Sequence, residues 1–145
     1  MDLSINKLDG TIPSSITNLR NLNILKLDVN NLTGSVPSDI SSLSNLKTLD
    51  VSSNELSNNI PTTIGQLLKL KELDLSNNKI NGSLPETFGA LVSLEKLDLS
   101  VNQITGSIPT VLTLLKRLKQ IILSRNKVRY VSDSLFLPFA SFLYI

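Results

Sequence analysis

The sequence predicts an α/β solenoid in which a short strand and a short 3₁₀-like turn alternate in 24-residue repeats. Two observations predict it. Leucine supplies 29 of the 145 residues, and an asparagine returns every 24 residues with no insertion or deletion. Self-similarity at a fixed period is typical of a repeat architecture, in which each unit is stabilised by its neighbours. The asparagines are Asn6, Asn30, Asn54, Asn78, Asn102 and Asn126.

Each repeat holds one strand and then one tight turn. Leu25 and Leu27 alternate with polar residues, a period of two that predicts a short strand with one buried face. Later in the repeat, Ile40, Leu43 and Leu46 recur at a spacing of three, which favours a 3₁₀-like turn over a full α-helix. A proline precedes each turn, where its fixed φ and missing N–H cost little. These prolines are Pro13, Pro37, Pro61, Pro85 and Pro109.

A glycine column lies between the strand and the proline. We expect a positive φ or a close backbone approach at this position, because glycine tolerates both. Asn58 fills the column in one repeat, and asparagine adopts positive φ more readily than most residues. The glycines are Gly10, Gly34, Gly82 and Gly106.

The asparagine column predicts a ladder of hydrogen bonds. An interior amide is costly unless it is bonded, and the asparagine side chain carries both donors and an acceptor. If the chain turns after each strand, one asparagine can bond backbone groups of its own turn and of the neighbouring coil. We therefore expect all six side chains to be buried and structural.

The composition excludes several chemistries. The chain has no cysteine and no histidine, which removes disulfides, cysteine nucleophiles, the serine–histidine–acid triad and the usual zinc sites. The net charge of +2 is too small to indicate a nucleic-acid partner. The sequence also contains no glycine-rich phosphate loop. We expect no catalytic activity, no cofactor and no metal.

Two segments resemble the plant-type leucine-rich repeat, whose frame is LxxLxxLxLxxNxLxGxIPxx. They are LKTLDVSSNELSNNIPTTIGQL (46–67) and LEKLDLSVNQITGSIPTVLTLL (94–115). The resemblance implies a right-handed superhelix with a concave parallel β-sheet, 3₁₀-like turns on the convex side and a second short strand around the Gly-x-Ile-Pro segment. We expect residues 1–141 to form the leucine-rich-repeat array, with 126–141 degenerate, and residues 142–145 to begin a further coil or cap.

The ends of the chain depart from the family pattern. Met1 falls inside a strand of the frame, without the leader, cysteine-paired cap or transmembrane helix of family ectodomains, so we expect a fragment of a longer protein. Near the other end Tyr130 replaces the glycine of the frame. Phe136, Phe139 and Phe142 keep the spacing of three, which fits either an apolar cap or a frame lost by truncation.

Known members of this family are extracellular parts of receptor-like kinases and receptor-like proteins, and polygalacturonase-inhibiting proteins. The resemblance implies a non-catalytic recognition module of a plant cell-surface receptor, whose partners are a peptide or protein ligand and a co-receptor. It places the parent protein at the plasma membrane, on the extracellular side. The alternatives are an enzyme inhibitor similar to the polygalacturonase-inhibiting proteins and a truncated fragment with no activity of its own. The predicted concave face has no aromatic residue, which favours a receptor over an inhibitor.

Residues that alternate with the buried leucines face outward on the predicted sheet. Those that break the consensus are candidate partner-binding residues, since exposed apolar side chains flanked by charge often mark a partner surface. Single exposed apolar side chains are nevertheless common and need no function. The candidates are Ile24, Lys26, Val29, Val101, Ile122 and Arg125.

Two charged columns and two sequons complete the set of candidate sites. One column matches the LDLS consensus and would place carboxylates about 4.8 Å apart on an exposed sheet, so we expect no acid–base catalysis there; it consists of Asp50, Asp74 and Asp98. The other should be a solvated face, because the aspartates cancel its field; it consists of Lys47, Lys71 and Lys119. The N-x-S/T sequons predict N-glycosylation at Asn31 and Asn81.

Overall fold

A computed structural model describes residues 1–129 and Leu143–Tyr144. Within these residues the main sheet has six parallel strands, each contributed by one coil of the solenoid. Leucines at alternate positions pack inward and leave the neighbouring residues on the concave face. The strands are β2 (Ile24–Lys26), β4 (Thr48–Asp50), β6 (Glu72–Asp74), β8 (Lys96–Asp98), β9 (Gln120–Ile122) and β10 (Leu143–Tyr144).

The register of the main sheet follows the sequence repeat. Leu49 pairs with Leu25 on one side and with Leu73 on the other, so residues 24 apart are direct neighbours. The last pairing differs, because Leu143 lies opposite Ile121, a step of 22 residues. The expected boundaries of the array at 141 and of the cap at 142–145 stay predictions, since residues 130–142 and 145 lie outside the described residues.

A second set of short strands lies on one lateral side, as the resemblance implies. The strands are β1 (Asp9–Thr11), β3 (Asn31–Thr33), β5 (Ser57–Asn59) and β7 (Lys79–Asn81), paired in parallel as β1–β3 and β5–β7. Isolated bridges from Ser83 to Thr105 and from Ser107 to Arg129 continue the pattern. The strands end before the apolar–proline pair of each repeat, because proline has no N–H to donate to a ladder.

The spacing of three gives 3₁₀ helices on the convex side, as predicted. They are η1 (Ser14–Asn18), η2 (Ser38–Ser42), η3 (Thr62–Gln66), η4 (Glu86–Ala90) and η5 (Thr110–Leu114). A proline with φ between −58° and −70° precedes each of them. In the part of the chain that the structure describes, no helix is long and apolar enough to cross a membrane.

The glycine column confirms the predicted positive φ, while the close contacts at these positions are made by side chains rather than by backbone. Gly34 has φ +77°, and a Cβ there would lie 2.8 Å from Cγ2 of Thr11 in the preceding coil. Asn58, which replaces glycine in the column, has φ 66°. Between the sheet and the 3₁₀ helices, leucine and isoleucine columns form one continuous core, with Phe88 fully buried in it.

Candidate functional site

The asparagine ladder fixes the turn that follows each concave strand. Asn54 Nδ2 donates to the carbonyl oxygens of Leu27 at 3.0 Å, Val51 at 3.1 Å and Ser52 at 3.0 Å, and its Oδ1 accepts from the N–H of Leu32 at 2.9 Å. One side chain thus bonds its own turn and the coil before it. Asn30, Asn78, Asn102 and Asn126 repeat these contacts.

The expectation that all six ladder asparagines are buried is wrong. Asn30, Asn54 and Asn102 are buried, Asn78 and Asn126 are half-buried, and Asn6 is exposed. Asn6 Nδ2 donates only to carbonyl oxygens of its own turn, at Leu3 and Ser4. Among the described residues only the coil of Asn30 packs against the coil of Asn6, so the Asn6 amide has no second set of backbone groups there to bond.

The six candidate binding residues lie on the concave side in two groups. Ile24 and Lys26 lie in β2, and Val29 follows it. Ile24 is 46% exposed and Val29 is 47% exposed. The other group lies around β8 and β9 and consists of Val101, Ile122 and Arg125. Four strand spacings of about 4.8 Å place Ile122 on β9 about 19 Å from β2, whereas Val101 follows β8 and lies three spacings, about 14 Å, from the β2 coil.

The residue before each ladder asparagine has left-handed backbone geometry, which sequence reasoning missed. Val29 and Val101 both have φ 54°, and Arg125 has φ 57°. Positive φ is rare and strained for a β-branched residue, whereas the asparagine at the same position of another coil, Asn77, adopts it readily. The presence of Asn77 and Ser53 in this column was the available signal.

Between the two groups runs a ladder of carboxylates. The sheet register aligns Asp50, Asp74 and Asp98. Oδ1 of Asp74 accepts hydrogen bonds from Ser76 N at 3.1 Å and Ser76 Oγ at 2.7 Å. Burial raises the pKa of Asp74, against the lowering effect of these bonds, and the neighbouring aspartates raise it further. Lys96 Nζ lies 3.8 Å from Asp74 Oδ2, so one cation already offsets part of the negative charge of this strip.

Asp28 breaks this pattern at the β2 end. It occupies the position held by serine in the other coils, while Lys26 takes the aspartate position. Among the described residues, Asp28 Oδ1 is buried and has no hydrogen-bond partner. Burial raises the pKa of Asp28, and the charge of Asp50 adds to the effect. Alternation with the buried Leu25 and Leu27 places Asp28 among the outward-facing residues, but the sequence did not show that its Oδ1 is unpaired.

The remaining candidates lie on the two lateral sides. Asn31 and Asn81 are exposed in β3 and β7, on the side opposite the lysine column. In that column Lys71 Nζ lies 3.7 Å and Lys119 Nζ 2.5 Å from carboxylate oxygens of Glu95. Both ion pairs hold the pKa of Glu95 low, the hydrogen bond from Lys119 most of all. Within the described ranges no group of acidic side chains is arranged to hold a metal ion.

Comparisons with known proteins agree with this geometry. Residues 1–136 match the model of the leucine-rich repeat region. No curated protein sequence matches the chain. Among solved structures, the plant peptide hormone receptor RGFR1 in complex with RGF2 is 34% identical with a TM-score of 0.93, covering 98% of this chain and 23% of that one.

Two further structures match over larger shares of their own length. The leucine-rich repeat ectodomain of the receptor kinase SOBIR1 from Arabidopsis thaliana is 33% identical with a TM-score of 0.85, covering 92% of this chain and 72% of that one. A plant ice-binding protein is 35% identical with a TM-score of 0.84, covering 88% of this chain and 42% of that one. The chain spans less than a quarter of several other receptor ectodomains that it matches.

Proposed function

Because the chain belongs to the plant-type leucine-rich repeat family, we propose that it is a non-catalytic recognition module that binds an extended peptide across its concave sheet. The similar receptor RGFR1 is in complex with the peptide hormone RGF2. A parent protein at the plasma membrane, with this module outside the cell and a co-receptor as second partner, belongs to the same proposal. Its support is the likeness to receptor kinase ectodomains.

The observation that carries the proposal is the pair of apolar and charged groups on the concave sheet, one around β2 and the other around β8 and β9. An extended peptide rises about 3.3 Å per residue, so about four residues reach from the β2 group to Val101 and about six reach to Ile122. Apolar side chains near its ends would cover Ile24 and Val29 at one end, and Val101 and Ile122 at the other. A lysine or arginine between them would lie over Asp74, where a positive charge offsets the repulsion within the carboxylate ladder.

A displayed library of linear peptides, selected on the full chain, tests this proposal. For the tightest peptide, the triple variant Ile24→Ser, Val29→Ser, Val101→Ser should weaken binding about tenfold or more, through lost apolar contact. The control variant Leu68→Ser, Val92→Ser removes exposed apolar side chains of similar size from two lateral turns, away from the concave face. Equal affinity of the triple variant and the wild type, with an unchanged circular dichroism spectrum, would exclude these residues as anchors.

N-glycosylation at Asn31 and Asn81 is part of the proposal for a secreted module. Both side chains are exposed in strands of the lateral sheets, so glycans there leave the concave face open. Secretion of the chain from a plant cell should add glycan mass that Asn31→Gln and Asn81→Gln each remove in part. An unmodified mass of the secreted wild type would contradict it.

Ice binding is a second candidate function, favoured by a column of small polar side chains on the same lateral side. Among residues 1–129 none of these side chains forms a hydrogen bond, and all of them are exposed except Ser35, which is half-buried. The column consists of Thr11, Ser35, Asn59, Ser83 and Ser107. An ice-recrystallisation assay should show inhibition that Asn59→Lys with Ser83→Lys abolishes; wild-type activity no greater than that of albumin would exclude this function.

A further inference from the structure

The turns between the 3₁₀ helices and the main strands form a surface that the concave site does not use. In the coils of η3, η4 and η5, a backbone N–H closes each turn by donating to the carbonyl oxygen two residues earlier. These bonds run from Leu68 N to Gln66 O at 2.9 Å, from Val92 N to Ala90 O at 2.8 Å and from Lys116 N to Leu114 O at 2.9 Å. Just after these turns, Glu95 N donates to Lys71 O at 2.7 Å and Lys119 N to Glu95 O at 2.8 Å. The three turns therefore lie side by side in successive coils.

These turns present six exposed residues, which we call the lateral ledge. Its apolar members are exposed by 55% (Leu68), 56% (Val92) and 57% (Leu114). Its cationic members are exposed as well: Lys69 directly follows Leu68, while Lys116 and Arg117 follow Leu114 after the buried Leu115. The whole ledge consists of Leu68, Lys69, Val92, Leu114, Lys116 and Arg117.

The fold does not require apolar residues on the ledge. The core positions that flank the first turn, Leu67 and Leu70, are fully buried, whereas Leu68 between them points to solvent. Ser44 occupies the position of Leu68 and Val92 in the second coil, so a polar residue serves there equally well. Single exposed apolar side chains are ordinary, but Leu68 and Val92 occupy the same position in adjacent coils and Leu114 ends the 3₁₀ helix of the next coil, and apolar side chains grouped in this way often mark interaction surfaces.

The ledge is also a local concentration of positive charge. Among residues 1–129 no carboxylate lies within ion-pair distance of Lys69, Lys116 or Arg117. The nearby Glu95 is already paired with Lys71 and Lys119. The ledge thus carries three uncompensated cations, more than the net charge of +2 of the whole chain.

We propose that the lateral ledge docks an acidic segment of a second protein, whose apolar side chains cover Leu68 and Val92. Complementary charge selects such a partner and speeds its encounter, while the apolar centre supplies area to bury. An anionic polysaccharide matches the cations but leaves the three apolar side chains without a complement. The observations therefore favour an acidic and apolar protein segment over a glycan.

Fluorescence anisotropy on the full chain tests the proposal with four labelled probes: a Glu-Leu alternating hexapeptide, hexaglutamate, a Lys-Leu alternating hexapeptide and a hexagalacturonate. The Glu-Leu peptide should bind, at least about fivefold tighter than hexaglutamate because of its leucines. The Lys-Leu peptide should not bind to the ledge. Hexagalacturonate that binds as tightly as the Glu-Leu peptide would overturn the proposal in favour of an anionic glycan.

Two pairs of substitutions locate the binding. Lys116→Glu with Arg117→Glu should weaken the Glu-Leu peptide about tenfold or more, and Leu68→Ser with Val92→Ser about fivefold. Lys7→Glu with Lys127→Glu makes the same charge change on the other lateral side, at exposed residues, and should leave affinity within about twofold of the wild type. Equal losses from both charge reversals would reduce the effect to net charge and overturn the proposal.

Analytical ultracentrifugation tests whether the ledge instead binds a second copy of the chain through the acidic concave strip of that copy. A monomer whose sedimentation the ledge variants leave unchanged supports the proposal, whereas self-association that the ledge variants abolish would overturn it. The test of the ledge is independent of the test of the concave site. The triple variant of Ile24, Val29 and Val101 keeps the ledge intact, so the Glu-Leu peptide should bind it as it binds the wild type.

Discussion

Replacing one rung of the asparagine ladder tests how the solenoid is held together. In Asn54→Ala the carbonyl oxygens of Leu27 and Val51 each keep a second donor, because Asn30 also donates to Leu27 and Asn78 to Val51. The N–H of Leu32 has no such substitute, since Asn54 Oδ1 is its acceptor at 2.9 Å. The loss is therefore one buried, unsatisfied donor rather than four hydrogen bonds.

An unsatisfied buried N–H costs about 1–3 kcal/mol. For a chain of this size, that corresponds to a melting temperature lowered by about 3–10 °C, measured by circular dichroism. Asn6→Ala is the matched control, because the exposed Asn6 amide bonds only Leu3 and Ser4, and its melting temperature should change by less than about 2 °C. Equal shifts for the two variants, or no shift for Asn54→Ala, would refute this reasoning.

Gly65→Ala should destabilise the chain by about 1–3 kcal/mol, because a Cβ there overlaps the carbonyl oxygen of Thr87 in the next coil. Gly10→Ala, where nothing lies within 4 Å, should show only the smaller strain of its φ of +75° in the same thermal melts. Asp28→Asn should stabilise the chain near pH 7, because the pKa of Asp28 is raised in the folded state, which therefore loses stability as the pH rises through that pKa. Urea titrations should show no gain below pH 3.8, the ordinary pKa of an aspartate, where Asp28 is protonated in both states. Amide hydrogen exchange should be fastest in the first coil, residues 1–25, where Met1 and other side chains of the core columns are about 40% exposed. Protection there equal to that of the central coils would contradict the idea that each coil is stabilised by its neighbours.

The sequence predicted the parts of this fold that depend on period alone. Alternating Leu25 and Leu27 determine a buried strand face, and the spacing of Ile40 and Leu43 determines a 3₁₀ helix, because each is a local preference that every coil repeats. Positive φ at Asn58 followed from residue type. The period could not reveal that Asn6 is exposed, because a residue in an end coil has the same sequence surroundings as one in the middle.

The candidate sites depended on contacts that period does not encode. The outward positions of Ile24 and Val101 follow from alternation, but the left-handed backbone at Val101 depends on the turn that the ladder asparagine closes. The unpaired oxygen of Asp28 results from Lys26 replacing the aspartate of the other coils. The lateral ledge was not predicted, because it combines residues of three coils that belong to none of the charged columns seen in the sequence.

The crystal structure of the chain with a library-selected peptide tests the central claim most directly. We expect an extended peptide that crosses β2, β4, β6, β8 and β9, with apolar side chains against Ile24 and Val29 at one end and against Ile122 at the other. A peptide bound on the lateral strands or on the 3₁₀ side, with the concave sheet left in contact with solvent, would contradict it.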